Sequence, residues 1–153
     1  AADFTNQSNN YRDIVLFHVS DLYLIAAEAY LMAGQTDKAL EKINAVRSRA
    51  GLPALASFGA YQPEYATTGS FTLKDIDLVL DERARELYAE GHRWMDLRRT
   101  KQLVRYNVQF SEYIADEAAM KGRDGNIKWY RPIPSNEISA NTGISNADQN
   151  PGY

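Results

Sequence analysis

Glutamates and arginines alternate in helical phase between residues 75 and 99, where they form a dense ladder of ionisable side chains. Two carboxylates facing each other across a cleft are the machinery of glycoside hydrolysis, in which one acts as acid and the other as base. Glu82, Glu86 and Glu90 instead stand four residues apart, which places them on one face of one helix. Arginines three residues away would pair with these carboxylates and lower their pKa values, which is the wrong direction for a general acid.

The spacing of this ladder therefore predicts a structural ion-pair network and no catalytic residue. The predicted network consists of Glu82, Arg83, Glu86, Glu90, Arg93, Asp96 and Arg99.

Other patterns that carry chemistry are missing from the sequence. His18 and His92 have no partners at the spacing of metal ligands, so we predict no metal site. The chain has no cysteine, no GxSxG context, no P-loop and no GxGxxG fingerprint. These observations predict neither nucleophilic catalysis nor any cofactor.

Aromatic residues in the loops are the remaining candidates for ligand binding. Tyr61 and Tyr65 lie in a long connection, and Trp129 and Tyr130 precede a Pro-Ile-Pro turn. A flat aromatic ring can stack on the apolar face of a sugar, and binding residues concentrate in loops. The alternative, which we favour, is that these rings pin the loops onto a helical core. Trp94 is expected in that core.

Two helices joined by a short turn are predicted near the start of the chain. Ser20 is the expected N-cap of the first helix, and Gly34 is the expected stop. Thr36 is the expected cap of a second helix that runs to about Ala50. The connection is so short that the two helices must be antiparallel neighbours. An apolar stripe at helical spacing predicts the inward face of the first helix: Leu22, Ile25 or Ala26, Ala29, and Met32 or Ala33.

The hairpin over residues 20–53 fits one tetratricopeptide repeat. The residues that match the repeat are Tyr23, Ala26, Ala27, Tyr30, Ala39 and Ile43. One repeat cannot bury its own apolar face, and stacking of about three is usually needed. Further repeats would lie upstream of this sequence, or the hairpin docks on the later helices, or both.

A long helix is predicted after residue 72, with Thr72 as its cap. Gly91 either ends or kinks this helix, and a helical stretch continues to about Val104. Its buried stripe is predicted to contain Leu73, Ile76, Leu80, Ala84 and Leu87. The polar residues 1–12 are predicted to be loop or disorder, and the segment after residue 105 is predicted to be an irregular tail. The fold class is therefore all-α.

Charge and hydropathy exclude several classes of function. The chain of 153 residues carries a formal net charge of −3, which argues against a nucleic-acid partner. No apolar run approaches about 18 residues, so the sequence predicts no transmembrane segment. The absence of cysteine excludes disulfides and a lipidated cysteine within these residues.

Three motifs occur in a fixed order: ERARELYAEGHRWMDLRR from Glu82, then RPIP from Arg131, then QNPGY from Gln149. This order resembles the C-terminal part of the SusD/RagB family, the nutrient-binding outer-membrane lipoproteins of Bacteroidetes. The resemblance extends from Val19 to Tyr153. It implies that residues 1–153 form the C-terminal portion of a SusD/RagB-like domain that contains the hairpin. Ala1-Ala2-Asp3 and the polar run after them, rich in Asn and Gln, are expected to be a severed linker.

The resemblance implies a non-catalytic role in polysaccharide utilisation. Such proteins lie on the cell surface, cap a TonB-dependent SusC-like transporter and capture oligosaccharides or other nutrients. The hairpin would then contact the transporter, and the lipid anchor would lie outside this chain. Ligand contacts in the family come largely from upstream regions, so no binding residue is carried over. An alternative is a free-standing tetratricopeptide adaptor that binds another protein, although a lone repeat and the QNPGY ending disfavour it.

Overall fold

The computed structural model describes residues 17–67 and 71–153, and within them the chain is helical. The helices are α1 (Val19–Met32), α2 (Thr36–Arg49), α3 (Asp75–Glu86), α4 (Arg93–Arg99), α5 (Leu103–Phe110) and α6 (Ser135–Ala140). Short 3-10 turns occur at Phe58–Ala60, Glu64–Thr67, Glu117–Met120 and Asn146–Asp148. No strand occurs in these ranges, and a single isolated bridge joins Lys121 to Ile127. The predicted all-α class is confirmed, and the segment 1–12 lies outside the described residues.

The described residues divide into two compact units that interleave along the chain. Unit 1 contains residues 17–61 and Lys74–Glu86, and therefore holds α1, α2 and α3. Unit 2 contains Gln62–Leu73 and residues 87–153, and holds α4, α5 and α6.

The helical hairpin in unit 1 begins and turns at slightly different residues from those predicted. α1 begins at Val19, and Ser20 is a buried residue inside the helix instead of its cap. Thr36 is the first residue of α2, with Gln35 at the cap position. Gly34 has φ +72° between the helices, a conformation in which a side chain would be strained. The tetratricopeptide character of this hairpin stays a prediction.

The inward face of α1 differs from the prediction. Leu24 and Ala27 are fully buried, whereas the predicted Leu22 and Met32 are 60% and 72% exposed. The predicted stripe is thus the outer face of the helix. α1 is apolar on more than one side, and for this reason its periodicity did not identify the face that packs against α2 and α3.

The long kinked helix predicted from residue 72 to about Val104 is instead α3, α4 and the start of α5. α3 ends at Glu86 and α4 begins at Arg93, so Gly91 neither ends nor kinks α3. Two residues with positive φ separate them, Ala89 at +66° and Gly91 at +81°. Gly91 indicated a break in this region, but the left-handed conformation at Ala89 is uncommon for an alanine, so the sequence did not predict that α3 ends as early as Glu86.

The start and the buried positions of α3 also differ from the prediction. α3 begins at Asp75, where the Lys74 N–H donates to Asp77 Oδ2 at 2.8 Å, and Thr72 is not its cap. Seven consecutive residues from Asp77 to Arg83 are buried, which is nearly two full turns. α3 is therefore enclosed on all sides at its centre and is not buried along one stripe. Of the predicted stripe, Leu80 and Leu87 are buried; the partly exposed members are Leu73, Ile76 and Ala84.

An aromatic cluster organises unit 2 around α5. Tyr65 meets Phe110 edge to face with ring centroids 5.0 Å apart, and Phe71 meets Tyr106 in the same way at 5.6 Å. Tyr65 also contacts Phe71 at 5.3 Å. Edge-to-face pairs of this kind add roughly 0.5–1.5 kcal/mol each beyond the area they bury. The cluster thus fixes the long connection onto α5.

In the tail, side-chain amides form hydrogen bonds with backbone groups of distant residues. Gln149 accepts a hydrogen bond from the Ile133 N–H at 2.7 Å and donates to the Ile133 carbonyl at 3.0 Å. Asn150 Nδ2 donates to the Arg131 carbonyl at 2.7 Å. The QNPGY and RPIP motifs therefore bind each other, and the tail is ordered by these bonds although much of it is irregular.

The Gly152 N–H donates to Asp124 Oδ2 at 2.8 Å. Hydrogen bonds from the Asn126 side chain and backbone, and from Gly152, lower the pKa of the Asp124 carboxyl. The backbone of buried Gly152 passes so close to Gly122 that a Cβ built on Gly122 would lie 2.0 Å from the Gly152 carbonyl oxygen. The close approach therefore requires glycine at position 122.

Replacing Gly122 by alanine should displace the 149–153 segment, because backbone atoms cannot yield to a Cβ at this distance. Overpacking of this kind costs about 1–3 kcal/mol. Thermal unfolding and hydrogen exchange at the Gly152 amide measure the effect. Gly59→Ala is the matched control, since the nearest atom to its Cβ is Ser57 Oγ at 3.8 Å. Equal stability of the two variants would contradict the close approach.

Candidate functional site

The charged residues of α3 form ion pairs with both helices of the hairpin in unit 1. Arg47 of α2 donates to Glu82 Oε1 at 2.5 Å, and both side chains are nearly buried. Arg83 donates to Asp21 of α1 at 2.8 Å, again with both side chains buried. These ion pairs therefore connect α3 to each helix of the hairpin.

The partners of Glu82 include one neighbour on its own helix. Arg85 Nη2 donates to Glu82 Oε1 at 2.8 Å, which is the three-residue spacing anticipated from the sequence. Glu86 accepts from Arg49 of α2 and lies 3.9 Å from His18 Nδ1. The carboxylates of α3 thus face guanidinium groups from α2 and from α3 itself, an arrangement that fixes the helices to each other.

The remaining members of the predicted network lie in unit 2. Asp96 is buried in α4 and accepts from Arg99 at 2.9 Å, three residues further along. The Arg93 guanidinium stacks over the Tyr106 ring at 4.7 Å from its centroid. Glu90 lies in the connection before α4. The seven predicted residues are therefore distributed over the two units.

Tyr61, a candidate for ligand stacking, is only 7% exposed. Its hydroxyl donates to Asp81 Oδ2 at 2.8 Å, and Arg85 lies over its ring at 5.9 Å. Burial raises the pKa of Tyr61 to about 12, and the neighbouring Asp81 carboxylate adds to the rise. The ring therefore packs inside unit 1 and presents little surface to a ligand.

Trp129 and Tyr130, the other candidates before the Pro-Ile-Pro turn, are covered by cations on one face. Lys101 lies 4.8 Å from the centroid of Trp129, and Arg98 lies 4.8 Å from that of Tyr130. Cation–π contacts of this kind contribute about 0.5–1 kcal/mol at exposed sites. Trp94, expected in the core, is partly exposed and stacks with Arg131 at 5.3 Å. These rings all take part in attaching the tail.

A pocket of about 310 Å³ opens beside α4 and α5 within unit 2. Its lining consists of Arg93, Leu97, Tyr106, Asn107, Phe110 and Ser111. Arg93 was predicted as an ion-pairing residue, and Leu97 lies in the same motif without a predicted role. Tyr106, Asn107, Phe110 and Ser111 lie in or directly after α5, which carries no recognisable motif. The fourth loop candidate, Tyr65, does not line the pocket but holds Phe110 at its rim. The only signal in the sequence is the aromatic pair Tyr106 and Phe110 at helical spacing.

Within residues 17–67 and 71–153, no three or more carboxylate or imidazole side chains are placed to hold a metal ion. No helix in the described part of the chain is both long and apolar enough to cross a membrane.

The profile of the SusD family matches residues 1–153, and the chain belongs to this family. The SusD-like protein P38 of Formosa agariphila is 38% identical over 92 residues, which are 60% of this chain and 18% of that protein. The SusD-like protein P25 of the same organism is 30% identical over 161 residues, covering 99% of this chain and 27% of the relative. The chain thus spans about a quarter or less of the length of these relatives. No solved structure matches it significantly.

Replacing Arg47 by methionine should destabilise unit 1 strongly. The variant leaves the buried Glu82 carboxylate without its partner from α2, and breaking a buried pair on one side costs about 3–5 kcal/mol. The free energy of unfolding from urea denaturation measures this change.

The matched control is Arg49→Met, two positions along the same helix. The Arg49 side chain is 62% exposed, so its loss should cost less than about 1 kcal/mol. If both variants lose the same stability, burial of the Arg47–Glu82 pair does not determine the stability of unit 1.

Tyr61 should make unit 1 lose stability at alkaline pH. The hydroxyl keeps its proton in the folded state up to about pH 12, whereas the unfolded chain releases it near 10. The free energy of unfolding should therefore fall as the pH rises through this window, by on the order of 2–3 kcal/mol. Tyr61→Phe should lack this contribution in urea unfolding at increasing pH; an unchanged alkaline loss in the variant would refute the assignment.

Proposed function

We propose that this chain is part of a non-catalytic nutrient-binding subunit of a SusCD-type outer-membrane uptake system, with an oligosaccharide as the nutrient. The observation that carries the proposal is the match of the SusD family profile across residues 1–153. Two relatives named SusD-like proteins support it. The chain would be the C-terminal portion of the binding protein.

The transporter is proposed to contact the outer face of α1. Leu22, Ile25 and Met32 are exposed there in spite of their apolar side chains, and Val19 continues the same surface. A contiguous exposed apolar face is typical of a surface that another protein or domain covers. A groove of about 240 Å³ lies next to it; its lining is Val19, Ser20, Tyr23, Ala45, Val46 and Arg49.

Unit 1 would supply rigidity to this contact. Its hairpin is fixed to α3 by the buried pairs of Asp21 with Arg83 and of Arg47 with Glu82. A rigid hairpin loses little conformational entropy on association, which favours a stable complex. The surface-exposed lipoprotein location is proposed from family membership.

An antibody against this chain, applied to fractionated source cells, tests the proposal. The protein should be found in the outer-membrane fraction, should be digested by protease added to intact cells, and should co-precipitate a TonB-dependent transporter. A periplasmic protein that resists the protease until cells are lysed is the control. A soluble cytoplasmic protein without a transporter would overturn the proposal and favour the tetratricopeptide adaptor.

In the purified complex, Leu22→Glu should weaken co-precipitation of the transporter because it places a charge on the proposed contact face. Tyr113→Glu is the matched control, since Tyr113 is an apolar ring 89% exposed in unit 2. Equal co-precipitation by the two variants would remove α1 from the contact and leave the uptake role intact.

A further inference from the structure

The pocket beside α4 and α5 combines apolar and polar groups in a small volume. At about 310 Å³ it stands at the lower end of ligand pockets, which measure roughly 300–1,000 Å³. Leu97 and Tyr106 are buried in its wall, whereas Phe110 remains 50% exposed. A pocket of this size with an exposed aromatic ring suits a single small ring-shaped ligand unit.

Phe110 is held in place although half of it is exposed. Tyr65 contacts it edge to face at 5.0 Å, and Tyr106 and Phe71 lie 5.6 Å and 6.2 Å from its centroid. Because three rings fix its orientation, a ligand that stacks on Phe110 does not have to order it first. The aromatic cluster thus pre-organises a stacking surface.

The polar groups of the pocket offer both donors and an acceptor. The Arg93 guanidinium, a planar group with five N–H donors, is oriented by its stacking over Tyr106. Asn107 Nδ2 donates to the Leu103 carbonyl at 2.8 Å, which fixes the amide while its Oδ1 remains an acceptor. Ser111 Oγ accepts from the Tyr113 N–H at 3.2 Å and still has its own proton to donate.

We propose that this pocket is a subsite for one pyranose ring of the bound oligosaccharide. The C–H face of the sugar stacks on Phe110, and its hydroxyls, which both donate and accept, bond to Arg93, Asn107 and Ser111. Tyr65 and Phe71 act as positioning residues through Phe110. This inference rests on the proposed function and deepens it, because it assigns a sugar-binding site to these residues themselves.

The polar groups distinguish a sugar from a purely apolar occupant. Against an apolar surface, Asn107 Oδ1 and the Ser111 hydroxyl proton would lose the hydrogen bonds that water gives them, which is unfavourable. A pyranose satisfies these groups and the aromatic ring together.

An array of immobilised neutral and acidic oligosaccharides, probed with the 153-residue chain, tests the subsite. At least one oligosaccharide should bind, and Phe110→Ala and Asn107→Leu should each lower its affinity tenfold or more. Phe110→Leu keeps an apolar side chain but removes the flat ring, so it should fold normally and still bind weakly. Tyr113→Ala, an exposed ring three residues along the chain, is the matched control and should bind as the unaltered chain does.

Nuclear magnetic resonance titration of the unaltered chain with the bound oligosaccharide should shift the Asn107 side-chain amide signals. No binding to the array, or binding that Phe110→Leu and Asn107→Leu leave unchanged, overturns the subsite. A protein that reaches the outer membrane with its transporter but binds sugar independently of Phe110 retains the proposed function. In that case only the location of the sugar is wrong.

Discussion

The buried ion pairs of α3 are the interaction on which unit 1 depends. Arg83 reaches Asp21 on α1, and Glu82 accepts from Arg47 on α2, all within a segment that has little contact with water. Moving such charges out of water is unfavourable by several kcal/mol for each ion, and mutual attraction offsets this only when the geometry is good. These pairs therefore contribute less to the net free energy of folding than to the choice of one packing arrangement. If α3 shifted by one residue along the hairpin, its buried charges would lose their partners.

Unit 2 is stabilised by different kinds of interaction. Edge-to-face aromatic pairs and cation–π contacts attach its loops to the helices. Side-chain amides form hydrogen bonds to backbone groups that have no partner within a helix or sheet. The Gln149 side-chain amide forms the two hydrogen bonds that a neighbouring strand would form, because it bonds to both the N–H and the carbonyl of Ile133. An irregular segment can keep a single conformation in this way, since its polar backbone groups are paired.

Local signals predicted the all-α class and the helical hairpin, and the ordered motifs predicted the family. Gly34 marks a turn by its conformational freedom, and helical periodicity needs no knowledge of distant residues. The burial of α1 could not be predicted in the same way, because apolar residues occupy both its inner face, at Leu24, and its outer face, at Leu22. Periodicity identifies a face only when the opposite face is polar.

Ion-pair partners that are far apart along the chain also could not be predicted from the sequence. Arg85, three residues from Glu82, is the partner that spacing suggests, but Arg47 is 35 residues away and only folding brings it close. The pocket is similar: Arg93 and Asn107 come from different helices, and nothing in their spacing indicates a common cavity. α3 ends at Glu86, and the backbone of Ala89 shortly after it is left-handed, although alanine usually continues a helix.

Because the chain passes from unit 1 to unit 2 and back, the two units respond to proteolytic cleavage in an unusual way. Residues 62–73 belong to unit 2 but connect two segments of unit 1, so no single cut can separate the units. A protease that nicks this connection would leave α3 joined to the hairpin only through side-chain contacts. The nicked protein would then behave as a complex of two fragments, and its stability would depend on concentration as that of a dimer does.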